Sequence, residues 1–402
     1  MECNNLVFPI PKSYYSEKSF PGQLMWIPKK DYSYKDILKY CENMKIIKKN
    51  YSTSDKKNGN YLPPHRLENN INITEKLIFK KNNSLLVQKI PSITFEFENK
   101  FNSSLEDNKI NENIEYIPCI FLKPLDKGKT NLNKDKLNKK NNNNIFSNKI
   151  LIYYHSNCED IGECYKFCNE ISNHLHINIL IVEFPGYGIY KTKDGCSSEK
   201  LLKDADIIFK FITEVSNIEE SNIILMGRCV GCGPVVYLAT KHKILSLILI
   251  SPFKSIKEFV KTLFPKIGLG YILKGLIKER FNNFENISKI KSPILFIHGK
   301  KDNLIPYQHS IDLINECKSP AKLICPSHMT HNEFNFKQDI ILHIKNFLKI
   351  FTTLNMENIK TQQENYETIN NMDFNSYEID EEIDTSDFEI NFSKILFKCP
   401  WD

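Results

Sequence analysis

Gly227-Arg228-Cys229-Val230-Gly231 stands between an apolar run, Ile223 to Met226, and a stretch of small residues from Pro234 to Ala239. The run reads as a buried strand and the stretch as a helix, so the glycines frame a sharp strand-to-helix turn. In a turn of this pattern the central residue sits in strained backbone and its side chain projects above the sheet, where it can act as a nucleophile. Cys229 holds that place. The chemistry it could do is acyl transfer, with the sulfur attacking a carbonyl carbon to form an acyl-enzyme. A helix N-terminus, the neighbouring Arg228 and a histidine base would each favour its thiolate. Such a thiolate suits esters and thioesters, whose leaving groups need less assistance than those of amides.

A nucleophile of this kind needs a base, and the base needs an orienting acid. Asp302 follows the apolar stretch Ile294 to His298 and Gly299, and is read as the acid. Two histidines follow the last apolar run. His331 opens a His-Asn-acidic sequence before the final helix and is read as the base, whereas His328 is expected to pack or to meet solvent. His298, at a strand end, is expected to be a hydrogen-bonded structural residue. An oxyanion hole would combine the backbone N–H of Val230 with a second N–H near Ser156 or Asn157, in the loop His155 to Cys158. Cys229 and Cys232 also form a C-x-x-C pair, but a metal site would need two more ligands, and Cys158, Cys164 and Cys168 lie on another predicted loop and helix. No metal or cofactor is expected. A Cys229–Cys232 disulfide that switches the nucleophile off is a redox alternative, beside the plainer reading of Cys232 as a small core residue.

These residues must be held by a repeating pattern of strands and helices. Strands are predicted at residues 150–154, 177–184, 222–226, 244–250, 294–298 and 321–325, with helices to about residue 174 and over 197–215, 233–240, 308–316 and 338–351. Alternation through short loops predicts a parallel, doubly wound α/β sheet covered on both faces. Before it, 76–80, 85–98 and 114–122 alternate as strands of an antiparallel edge. Residues 1–45 read as irregular, aromatic-anchored backbone packed on the core, 46–75 as a mobile insertion, and 126–149 as a solvated Asn/Lys low-complexity insertion within a domain spanning 76–351. Residues 253–280 lie where a lid would sit and could line an acyl pocket or touch anionic lipid. The tail, 352–402, carries twelve acidic against three basic residues and reads as disordered.

The whole chain bounds the rest. Its 402 residues and 41% hydrophobic content suffice for a sizeable core. A net charge of +6 without an arginine-rich stripe argues against a nucleic-acid partner. The first twenty residues lack the apolar centre of a signal peptide, and twelve cysteines without secretory context are read as free thiols, so a cytoplasmic protein is expected.

The set His155-Ser156-Asn157, Glu183 to Gly188, Gly227 to Gly231 with Pro234 and Leu238-Ala239, Ser251-Pro252-Phe253, Ser292-Pro293-Ile294 with His298, Gly299 and Asp302, and His331-Asn332 resembles the alpha/beta-hydrolase domain-containing protein 17 branch of the α/β-hydrolases, related to the Bem46-like enzymes. Leu6 to Tyr15 also resembles the start of that branch. The likeness covers about residues 150–351. It implies an α/β-hydrolase fold, a catalytic set of Cys229, Asp302 and His331, and, from the branch's activity, removal of palmitate from protein cysteines with peripheral membrane contact. Three departures stand out. The branch's serine is Cys229 here, its His-Gly-Asn loop is His155-Ser156-Asn157, and its N-terminal cysteine cluster is reduced to Cys3. The expected function is hydrolysis of an acylated protein or small acyl ester or thioester. The alternative is a non-catalytic protein of the same fold that binds an acylated or peptide partner.

Overall fold

The computed structural model describes residues 8, 10–13, 15–29, 77–81, 84–88, 115–125, 149–157, 159–193, 195–263, 279–357 and 377–378. Nine strands form one sheet. In chain order they are β1 (Leu24–Pro28), β4 (Tyr116–Leu122), β5 (Ile150–Tyr154), β6 (Asn178–Val182), β7 (Ile223–Arg228), β8 (Ser246–Ile250), β9 (Ile294–Ile297), β10 (Ala321–Ile324) and β11 (Tyr377–Glu378). Across the sheet the order is β1-β4-β6-β5-β7-β8-β9-β10-β11. From β6 to β11 every pair is parallel, while β4 runs antiparallel to both β1 and β6.

Two expectations about the edge are corrected. Residues Leu24–Pro28, read as irregular, pair with Tyr116–Ile120 as the edge strand β1. Of the three stretches expected to form that edge, 114–122 does so as β4, whereas the first two pair with each other, β2 (Leu77–Lys81) against β3 (Ser84–Gln88), as a separate two-stranded sheet. Alternation identifies a strand, but not its partner. The proposed insertion 46–75 lies outside the described residues, as do 126–148 of the low-complexity stretch and 264–278 of the expected lid. In the acidic tail, the described part consists of the end of the last helix and β11, which extends the sheet beside β10.

Both faces of the sheet are covered, which explains the unbroken apolar strands. Along β5, Ile150, Ile152 and Tyr154 enter one core and Leu151 and Tyr153 the other, as a period of two requires. The first core packs against α2 (Ser198–Lys210), α3 (Cys232–Lys241), α5 (Asn283–Ile287) and α6 (Gln308–Glu316). The second packs against α1 (Tyr165–Leu175) and α7 (Leu342–Glu357). Ser197 caps α2 by accepting the Lys200 N–H, and α7 is preceded by a wider helical turn at Phe336–Ile341. Among the described residues, no helix is long and apolar enough to cross a membrane.

This is the α/β-hydrolase fold. Strand order reverses around β5, with β6 on one side and β7 on the other. The loops after β5 and β7 therefore part above the carboxyl edge and leave a crevice there, which is where such sheets bind ligands.

Candidate active site

The crevice holds Cys229. It follows β7 directly, with φ of 52°, in the left-handed region that a side chain normally avoids. A Cβ on Gly227 would run into the carbonyl of Gly231, and one on Gly231 would strike the carbonyls of Tyr154 and His155. The turn therefore passes closely under the next helix and against the end of β5. Strain of this kind costs about 1–3 kcal/mol and persists where the surroundings over-determine it.

Asp302 and His331 come from loops after β9 and β10 and meet beside this turn. His331 Nδ1 donates to Asp302 Oδ2 at 2.7 Å. The other carboxylate oxygen accepts the N–H groups of Leu304 at 3.0 Å and Ile305 at 2.7 Å, which fixes its direction. Burial pushes the Asp302 carboxyl up, yet the hydrogen bonds of His298 and His331 prevail and hold it well below the usual carboxylate range. His331 Nε2 is buried and completes no hydrogen bond in this geometry. Burial pulls the imidazole down, but the neighbouring Cys229 charge, the strongest opposing influence, together with the bond to Asp302, pushes it up to about 10. Nε2 is thus the atom placed to exchange a proton with the thiol.

The other histidines are engaged elsewhere. His328 Nε2 lies 2.9 Å from Asp339 Oδ2 on a largely exposed side chain. His298 is fully buried, with Nε2 donating to the Ile305 carbonyl and Nδ1 on the Ser310 hydroxyl, each at 2.7 Å. Its backbone-bonded ring and its approach to Asp302 Oδ2, 3.3 Å, suit a supporting role.

The loop after β5 corrects one expected donor. The Ser156 N–H donates to Glu159 Oε1 at 2.7 Å, so it does not point at a reacting oxygen. Of the two residues named there, Asn157 remains, with its side-chain oxygen held by the Tyr187 hydroxyl at 2.9 Å. Ser156 is not among the non-glycine residues with positive φ, so the serine fits without left-handed backbone. Val230 follows Cys229 in the tight turn Cys229–Gly231 that leads into α3. Cys229 and Cys232 are both free, and the Cys232 thiol donates beneath the turn to the carbonyls of Gly227 at 3.3 Å and Ile250 at 3.6 Å.

Two buried charge networks escaped the sequence reading. Arg228 donates through Nη2 to the His331 carbonyl at 2.9 Å and to Asn332 Oδ1 at 2.8 Å, while Nη1 reaches Glu159 Oε1 at 3.5 Å. One guanidinium therefore joins the nucleophile turn, the histidine loop and the loop of Ser156. Replacing it with methionine would leave the Glu159 carboxylate buried without its cation, and the expected loss is about 3 kcal/mol, read as a lower midpoint in urea unfolding. The second network begins at His155, whose ring donates to Glu183 Oε1 at 3.0 Å and to the Ser156 carbonyl at 2.8 Å. Burial lowers the His155 pKa, but the hydrogen bond and charge of Glu183 outweigh it and raise it. Tyr15 caps the pair, its hydroxyl donating to Glu183 Oε2 at 2.6 Å. The only local signal for either network was a charged residue beside a motif in an apolar context.

Of residues 253–280, expected as a possible lid, the described part includes α4 (Ile256–Leu263) and the stretch from Glu279. Phe253 is buried, Lys254 pairs with Asp312 at 2.6 Å, and the Phe281 ring closes on Gly233 in the first turn of α3.

No protein-family model matches the chain. It is 26% identical over 202 residues to alpha/beta hydrolase domain-containing protein 17C of Mus musculus, which covers 50% of this chain and 60% of that protein. It is 28% identical over 199 residues to alpha/beta hydrolase domain-containing protein 17B of Xenopus laevis, covering 49% of this chain and 65% of that one. The chain thus spans less than two thirds of the length of these relatives. Among solved structures, mouse alpha/beta hydrolase domain-containing protein 10 aligns with a TM-score of 0.41 at 15% identity, over 60% of this chain and 97% of that one.

Proposed function

We infer, from the chain's place in the α/β-hydrolase superfamily and its similarity there to the domain-containing protein 17 branch, that it hydrolyses acyl esters or thioesters through Cys229, His331 and Asp302. The observation that carries this reading is the convergence of Asp302-bound His331 on a cysteine held at φ 52°.

The Cys229 sulfur, its proton on His331 Nε2, attacks the acyl carbon. The carbonyl oxygen becomes an oxyanion facing the N–H groups of Val230 and Asn157. The bond from carbon to the leaving sulfur or oxygen then breaks, and His331 returns its proton to that atom. A water attacks the acyl-cysteine with His331 as base, releasing the carboxylic acid and restoring the thiol. Asp302 keeps Nε2 aimed at the sulfur and stabilises the imidazolium.

Similarity to the branch favours a fatty acyl chain on a protein cysteine as substrate, and with it a cytoplasmic protein that visits membrane surfaces. The eight described cysteines are all free, which suits a reducing compartment. One observation favours the non-catalytic alternative: the Ser156 N–H is spent on Glu159 rather than facing the crevice. The test is to mix purified protein with an acyl thioester or a short ester and follow both product release and protein mass. A burst of leaving group with an acyl adduct on the Cys229 peptide is expected. Absence of both adduct and turnover with every substrate would leave the binding alternative.

A further inference from the structure

We propose that Arg280 binds an anionic group of the substrate, so that the acyl ester or thioester taken by this site carries a carboxylate or phosphate. This rests on the acyl-transfer reading of Cys229 and narrows its substrate class.

Arg280 lies at the base of the expected lid, one residue before Phe281, whose ring closes on Gly233 one helical turn past Cys229. Its backbone is fixed. The carbonyl accepts the Ile256 N–H at 3.3 Å, and the N–H donates to Glu279 Oε1 at 3.0 Å. The guanidinium is not similarly satisfied. The residue is 5% exposed, and Nε and Nη1 are sealed from solvent with no hydrogen-bond partner. Among the described residues, no carboxylate forms an ion pair with it.

The other buried cations show how unusual this is. Arg228 reaches two carbonyl-type oxygens and Glu159, and the His155 ring pairs with Glu183. A buried charge without a counter-charge is costly, and the cost is removed when a ligand supplies one.

The surroundings have the character of a ligand site. Phe8 meets Phe281 edge-on at 6.2 Å, giving an apolar wall. Arg280 is thus set, through its neighbour Phe281, against the first turn of α3, the helix that follows Cys229. A guanidinium with free donors beside aromatic walls is suited to a planar carboxylate or to a phosphate, which it can grip with two bonds.

Three substrates separate the sources. A butyryl thioester of N-acetylcysteamine is neutral on both sides, the glutaryl thioester of the same thiol puts a carboxylate on the acyl side, and butyryl-coenzyme A puts phosphates on the leaving side. Wild-type protein is expected to favour one of the two anionic substrates over the neutral one by roughly 10- to 100-fold in kcat/KM. Arg280→Gln should abolish that preference while changing neutral turnover by less than about threefold. A wild type that shows no preference, or an Arg280→Gln variant that loses equally on all three, overturns the proposal.

A second readout does not depend on turnover. Glutarate or inorganic phosphate should raise the Tm of wild-type protein and leave that of Arg280→Gln unmoved. If no substrate is turned over but this shift is seen, the acyl-transfer reading fails and the anion site stands. If neither anion gives a shift that needs Arg280, the site falls.

Discussion

Cys229→Ala is expected to lower thioester turnover by on the order of 10⁴-fold or more, since the covalent route is then closed and binding with oxyanion stabilisation alone remains. The variant should fold normally, because the side chain lies at the crevice floor and alanine tolerates the surrounding space. Cys229→Ser is the more informative partner. It would restore the hydroxyl found in the similar branch, in a turn already held at φ 52°. A hydroxyl depends wholly on His331 for activation, whereas a thiol ionises readily. The serine variant should therefore keep measurable ester hydrolysis that falls to background when His331 is also removed. Stopped-flow acylation with a chromogenic ester would read both. An alanine variant as active as wild type would end the nucleophile assignment.

His331→Ala is expected to slow acylation by about 10²- to 10⁴-fold near neutral pH, as positioned proton transfer generally contributes. His328→Ala should stay close to wild type, because that ring faces Asp339. The reverse outcome would exchange their roles. The same histidine should appear in the pH dependence of stability. Its pKa, raised to about 10 from an unfolded value of about 6.5, means that the folded state holds the proton more tightly. The His331 contribution is complete below about pH 6.5 and declines as pH rises through about 10. Asp302, whose pKa is depressed, works in the opposite direction. Its contribution is present above about pH 4 and is lost as pH falls into the acid range. Urea unfolding of wild type, His331→Ala and Asp302→Asn across this range should show a flatter alkaline limb in the first variant and a flatter acid limb in the second.

What could be read from the sequence was local. The turn around Cys229 was legible because two glycines, a strand and a helix lie within about fifteen residues. The loops of Asp302 and His331 were legible because each follows a strongly apolar run. The edge of the sheet was not, since β1 pairs with residues some ninety positions away and ends in Pro28, which cannot donate to a ladder. The engagement of the Ser156 N–H depended on where the Glu159 side chain turns, and the downward aim of the Cys232 thiol on a rotamer, neither of which has a signature in residue order. The bond from Arg228 to the His331 carbonyl spans 103 positions and follows from the fold alone.

Tyr15 is more than a cap on Glu183. Its ring fills the space that a Cβ would need at both Gly162 and Gly188, and Gly188 also has φ of 50°. These three positions are therefore not independent in heredity. An alanine at Gly162 or Gly188 evicts the ring, and a smaller residue at Tyr15 vacates a slot that only paired changes could refill. A saturation library would show this as epistasis in magnitude, with Gly162→Ala harmful on the wild-type background and milder beside Tyr15→Ala. Because the slot adjoins the His155–Glu183 pair, drift near the start of the chain is tied to the loop that carries Asn157, and the segment that looks freest to diverge is among the least free to do so.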